Sequence, residues 1–220
     1  MNINLLGICG SPIINGNAEV FLKEGLKFAE EDGAKTELIR LAKRNIKDCI
    51  HCNWCISKQT EDKPCSIEDD FIDIYKHVLE ADGILLSTPV YLTRLSGYLA
   101  TLLDRFRVFV HGNLYKDALR NKVGCSLAVV WFRYGGIETT LQTLTNTFLI
   151  LNMIPVGGGM ASFHGGAGVS SFDGKGGFDP KDKHGVLKDE FGLKTVETTV
   201  KRMVEVIKIL KAGKEALKNG

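Results

Sequence analysis

The chain has 220 residues, 44% of them apolar and 25% charged, with a formal net charge of +2. That length and balance suit one globular domain with a sizeable core, and Lys and Arg are spread along the chain, which argues against a nucleic-acid partner. No apolar run nears the ~20 residues of a membrane span and the first residues lack a signal-peptide pattern, so a cytoplasmic protein with no membrane partner is expected.

Residues 3 to 9 (INLLGIC) form a short apolar run closed by Gly10, Ser11 and Pro12, the pattern of a strand buried on both faces. From Asn17 the apolar positions Val20, Phe21, Leu26 and Ala29 recur at helical steps until Gly33, and a second strand follows over 35 to 41. Four of the six cysteines then crowd into Cys49 to Cys65. In a chain with no secretion signal, such crowding points to metal, cluster or redox use before a disulfide framework.

Beyond the cysteines, Ile67 to Leu79 reads as a helix, Gly83 to Ser87 as a buried strand and Ser96 to Val108 as a helix. Val123 to Trp131 reads as a fourth strand, Ile137 to Leu151 as a helix, Ile154 to Val156 as a short fifth strand, and 194 to 212 as a closing helix. Gly157 to Lys183 is too rich in glycine for a helix and too long for an ordinary connection; it reads as a lid, an oligomer arm or a mobile segment. Strand and helix alternate throughout, which predicts an α/β fold: a doubly wound five-stranded parallel sheet of order 2-1-3-4-5 with helices on both faces. Ligands of such sheets sit outside the carboxyl ends of the strands, where the order reverses.

Three loops fall at that edge. The first, Gly10 to Asn17, joins glycines, a hydroxyl and an amide to a helix start, which suits a phosphate as well as it suits an ordinary capped turn. The second holds Pro89, Val90, Tyr91 and Leu92, and the third holds Trp131, Arg133, Tyr134, Gly135 and Gly136. Each alone is weak, since an aromatic at a sheet end is more often packing; their coincidence on one edge is stronger.

Gly10-Ser11-Pro12 with Gly16-Asn17, Ala81-Asp82-Gly83 leading to Thr88-Pro89-Val90-Tyr91, Ser96-Gly97 through Leu103-Asp104-Arg105, and Gly135-Gly136 together resemble the NADPH-dependent FMN reductases and the related iron-sulfur flavoproteins. The resemblance covers about the first 155 residues. It implies a flavodoxin-like fold in which residues 1–220 make one FMN-binding domain, with a cysteine-rich insertion over 45–66 and a glycine-rich loop over 157–187. It also implies FMN with its phosphate in the first loop, near Ser11, Ile13, Gly16, Asn17 and Ala18, and its ring against Pro89 to Leu92 and Trp131 to Gly136. The chain departs from the family at Ile13, where arginine is common, and at Gly16 and Ala18, where small hydroxyl residues are usual. No catalytic acid or base is expected, because a flavin carries its own redox chemistry. Asp104 and Arg105 read as a structural or dimer-face pair.

Cys49, Cys52, Cys55 and Cys65 follow C-x2-C-x2-C-x9-C. An unbroken triplet with a fourth thiolate reaching back suits a 4Fe-4S cluster, whereas a four-cysteine zinc site more often shows two separate pairs; reduced thiols in a packed loop are the third reading. Two functions therefore compete. One is an iron-sulfur flavoprotein passing electrons from a reduced carrier such as ferredoxin, through cluster and FMN, to an acceptor such as a quinone. The other is an NAD(P)H-dependent FMN or quinone reductase in which the cysteine loop is only structural. Either one is expected as a homodimer or homotetramer.

Overall fold

The computed structural model describes residues 2–177 and 179–219. In chain order the elements are β1 (Asn4–Cys9), α1 (Asn17–Glu31), β2 (Lys35–Arg40), α2 (Trp54–Ser57), α3 (Phe71–Glu80), β3 (Gly83–Tyr91), β4 (Arg94–Leu95), α4 (Gly97–Arg105), α5 (Arg107–His111), β5 (Val123–Val130), α6 (Ile137–Ile150), β6 (Ile154–Pro155), β7 (Gly166–Val169) and α7 (Glu190–Asn219), with 3-10 turns at Met160–Ser162, Phe172–Gly174 and Gly185–Lys188. The main sheet runs β2-β1-β3-β5-β6 with every pairing parallel. Its central strands are buried on both faces, and every residue of β5 (VGCSLAVV) is buried, whereas the edge strand β2 is partly exposed. One face packs against α3 and the α4–α5 segment through Phe71, Phe106 and Phe109; the other packs against α1 and α7 through Phe21, Val196 and Met203.

The flavodoxin-like α/β architecture is as expected, but the sheet has seven strands, not five. The added β4 folds back on β3 as an antiparallel hairpin, Val90 opposite Leu95. The fifth position beside β5 is shared: β6 pairs with Val123 and Gly124, and β7 pairs with Leu127 to Val130. The glycine-rich stretch is thus partly sheet. Its glycines are needed there, because a Cβ on Gly166 would fall 2.5 Å from Leu127 and one on Gly168 2.7 Å from Val186.

Three boundaries differ for local reasons. The third strand continues past Ser87 to Tyr91; β1 ends its pairing at Ser87, so the missing N–H of Pro89 faces no neighbour on that side while β5 still pairs on the other. The helix expected from Ile67 begins at Phe71, because Asp69 Oδ1 accepts the Phe71 N–H and Asp70 Oδ2 accepts the Asn45 N–H. The helix expected over 96 to 108 is broken at Phe106 into α4 and α5, with Phe106 N–H tightening onto Leu103 O. The closing helix starts and ends outside its expected range of 194 to 212. Among the described residues, no helix is long and apolar enough to cross a membrane.

Candidate functional site

The carboxyl ends of β1, β3 and β5 lie side by side, and their loops are tied together by backbone contacts. Gly10 N–H donates to Ser87 O, and Ser96 Oγ donates to Gly10 O at 2.5 Å while accepting Leu99 N–H as the N-cap of α4. A Cβ on Gly10 would fall 2.7 Å from Leu99 Cβ, so this approach requires glycine.

In the first loop, Ser11 is buried and its Oγ accepts the Ile13 N–H at 3.1 Å, which sets the turn. Ile13 is exposed. Gly16 stands in extended conformation before α1, and no side chain caps that helix, leaving its positive end open to an anion. Ala18 is buried and its carbonyl accepts from Ser87 Oγ, while the Asn17 side chain accepts the Val186 N–H. Asn17 is thereby drawn toward the turn at Gly185–Lys188. Beneath the loop lies Glu19, buried, whose Oε2 accepts the Asn15 N–H at 2.8 Å. Burial raises its carboxyl, but bonds from Lys23, Asn15 and Arg40 outweigh that and hold it below the usual carboxylate range. Sequence reasoning did not single out Glu19; a lone Glu in the first turn of a helix reads as a dipole partner.

In the second and third loops, Leu92 (φ +48°) and Thr93 (φ +64°) are both left-handed, a two-residue turn that normally recruits Asn and Gly. Pro89 and Val90 are half-buried, Tyr91 is exposed, and Leu92 projects 90% exposed from the strained turn. Gly136 (φ +91°) sits against that turn, where a Cβ would fall 2.6 Å from Thr93 Cα. Gly135 is equally confined, by Val130 and by Phe132 O. Trp131, Phe132 and Tyr134 are exposed, and Trp131 stacks edge-on against Phe132. The segment after β7 folds over this loop: Arg133 N–H donates to Gly174 O, its guanidinium reaches Asp173, and Trp131 Nε1 donates to Gly177 O.

A cavity of about 760 Å3 opens beside this loop, walled by Arg133, Ser170, Phe172, Asp173 and Lys188. Of the expected flavin residues only Arg133 reaches it. Most of its walls come from the glycine-rich segment, whose composition carries no periodic signal.

The four cysteines form the second centre. Cys49, Cys52, Cys55 and Cys65 all line one small pocket, together with Trp54, Arg105, Arg107 and Val108. All four are free thiols. His51 (φ +54°) and Asn53 (φ +61°) are left-handed, and these bends curl the triplet. Among the described residues no three His, Cys, Asp or Glu side chains are close enough to share one metal ion, so the four thiols do not make a single tetrahedral site as they stand. Bonds from Ser66 Oγ and then from the Trp54 backbone, with the Arg105 charge a smaller contribution, hold the Cys52 thiol low. Burial pushes the Cys55 thiol up, and Arg107 works against it.

Arg105 is not paired with Asp104. It is 1% exposed and forms a 2.7 Å bond to Asp69 while donating to Lys47 O and Ile67 O, so one side chain fastens both ends of the cysteine loop. Gln59 holds the middle: its amide donates to Pro64 O and Val108 O and accepts the Leu114 and Tyr115 N–H groups.

Residues 3–168 match the model of the NADPH-dependent FMN reductases. This chain belongs to that family. An iron-sulfur flavoprotein of Methanocaldococcus jannaschii is 40% identical over 210 residues, covering 95% of this chain and all of that one. An iron-sulfur flavoprotein of Archaeoglobus fulgidus is 34% identical, covering 92% of this chain and 96% of the relative. Among solved structures, RosB with a bound 8-demethyl-8-formylriboflavin-5'-phosphate superposes with a TM-score of 0.70 over 99% of this chain and 87% of that one, at 16% identity, which is a likeness of fold. The family member described here is a flavin-dependent oxidoreductase that uses FMN, and its three-loop edge and uncapped α1 fit that cofactor.

Proposed function

We propose that this protein carries electrons through two cofactors, FMN at the carboxyl edge of the sheet and a 4Fe-4S cluster on Cys49, Cys52, Cys55 and Cys65. The observation that carries this reading is the convergence of all four cysteines on one pocket that two guanidinium groups also line. Arg105 and Arg107 would offset the mutual repulsion of thiolates there, and four cysteines that share one pocket without closing on a single point would suit a polynuclear centre.

The open N-terminus of α1 would hold the flavin phosphate, with Ser11, Ile13, Gly16, Asn17 and Ala18 shaping its cradle. Backbone and dipole supply the attraction that an arginine at position 13 would otherwise add. Pro89, Val90, Tyr91 and Leu92 would wall one side of the ring, and Trp131, Arg133, Tyr134, Gly135 and Gly136 the other; no side chain is assigned as a catalytic acid or base. FMN exchanges one- and two-electron chemistry and an iron-sulfur cluster moves single electrons, so the pair suits a one-electron donor.

Ferredoxin is the donor this arrangement favours, with a quinone as acceptor and NAD(P)H as the alternative donor. An open groove walled by Cys49, His51, Arg107 and His111 gives the cysteine end access from outside. The two core clusters share one sheet, which supports residues 1–220 acting as a single domain with insertions over 45–66 and 157–187. Exposed Leu92, Tyr134 and Phe172 near the flavin edge support a homodimer or homotetramer, and reduced thiols suit the cytoplasm.

Anaerobic purification followed by flavin, iron and acid-labile sulfide assays tests the proposal. We expect flavin with about four iron and four sulfide per chain. Flavin without iron, even after reconstitution with iron and sulfide, would instead make this an NAD(P)H-dependent FMN or quinone reductase with a structural cysteine loop.

A further inference from the structure

Buried polar groups in folded proteins are nearly always hydrogen-bonded, so those left single call for an explanation. Among the described residues, six buried side-chain atoms have no hydrogen-bond partner: Glu19 Oε1, Arg40 Nε, Trp54 Nε1, Arg105 Nε, Arg107 Nε and Thr199 Oγ1. Glu19 Oε1 and Arg40 Nε face each other in an ion contact at 2.9 Å, which accounts for both. Thr199 stands alone on α7. The remaining three all belong to residues lining the cysteine pocket.

All three are N–H donors, and none is an acceptor. Each of these side chains is held by other contacts. The Arg105 head is used up by Asp69, Lys47 O and Ile67 O, and Arg107 donates through its outer nitrogen to Asn53 Oδ1 at 2.9 Å. Trp54 is held in place by the ammonium groups of Lys58 and Lys63, 5.5 and 5.3 Å from its ring. Each donor is therefore positioned by an interaction elsewhere in the same side chain. The pocket is thus lined by four cysteines and by three residues that each carry a spare donor, a lining that suits a group that accepts hydrogen bonds and carries negative charge.

Resting on the two-cofactor reading, we propose that Trp54, Arg105 and Arg107 form a donor shell that hydrogen-bonds the sulfurs of the iron-sulfur cluster and sets its reduction potential. An electron added to an already anionic centre increases the charge on its sulfurs. Donors fixed beforehand stabilise the reduced form more than the oxidised one and raise the potential. Arg105, as part of a buried ion pair, is unsuited to a clean substitution. Trp54 and Arg107 are suited, because Trp54→Phe deletes a donor without changing charge, and Arg107→Lys keeps the charge while deleting the planar donor.

The test is a redox titration of the anaerobic holoprotein followed by the cluster's electron paramagnetic signal. Both variants should keep wild-type iron and sulfide, and each should shift the reduction equilibrium toward the oxidised form about tenfold, ~59 mV for one electron. Unchanged potentials in cluster-loaded variants would overturn the proposal. A second measurement needs no variant: in the reduced wild type, electron-nuclear double resonance should show nitrogen-bound protons coupled to the cluster that disappear in deuterium oxide. Their absence would also overturn it. A wild type that binds no iron would instead remove the two-cofactor reading itself, so the two failures are told apart.

Discussion

The two ends of this molecule are built by different means. The edge proposed for the flavin is made largely of backbone: parallel strand ends in register, an uncapped helix, and glycines at positions 10, 135 and 136 where a Cβ would collide. The cysteine end has only the four-residue helix α2, and side chains hold it. Gln59 and Arg105 together bond to seven other residues across that loop and its surroundings. An edge defined by the fold tolerates side-chain change, whereas a pocket defined by two side chains should fail when either is lost.

Arg105→Met gives the sharpest test of that contrast. It leaves the Asp69 carboxylate buried and unpaired, which costs about 3–5 kcal/mol. Urea unfolding should show the loss, and bound iron should fall while flavin stays. Retention of iron in a stable variant would mean that the loop is shaped by something other than this clasp.

At the flavin edge the corresponding break needs a backbone residue. Gly136→Ala introduces a Cβ 2.6 Å from Thr93 Cα at φ +91°, a strain of about 1–3 kcal/mol. FMN titration should give a Kd raised about tenfold, with the iron content unchanged. An unaltered Kd would place the flavin away from the Thr93 turn.

Glu19 sharpens the comparison, a buried charged side chain supporting the proposed flavin edge from below. Its carboxyl is held below its ordinary value, so its contribution is present above the usual carboxylate range and is lost as pH falls through the folded-state value. Glu19→Gln should weaken FMN binding by about 1 kcal/mol at neutral pH. In acid the gap between the two proteins should close; a gap independent of pH would show that shape, not charge, is what Glu19 supplies.

The same division explains what the sequence discloses. Periodicity locates β1, α1, β3, β5 and α6, because strands buried on both faces and helices with one apolar stripe leave direct patterns. The three loops follow from strand order, and the crowding of the cysteines marks their loop as a candidate site while leaving cluster, zinc and packed thiols as its readings. Hidden were features that depend on contacts distant in the chain. Arg105 beside Asp104 looks like a surface pair, and its real partner Asp69 is 36 positions away. β7 was masked because Gly166 and Gly168 are glycines for packing, not for flexibility. Gln59 sits in a polar stretch where nothing distinguishes it until α5 and the Asn113 turn close over it.

The divided fifth strand bears on how copies of this protein avoid sticking to one another. An intact outermost strand would present a long row of unpaired amides and carbonyls, a template on which another chain could add. Here the outer row is broken into the two residues of β6 and the four of β7. The gap between them is plugged from within, where Ser126 Oγ donates to His164 O and Gly165 lies flat against Ser126 O. Interrupting the row in this way leaves an incoming strand no long run to grip on this side of the sheet, in contrast to the opposite edge, where the six residues of β2 run unbroken.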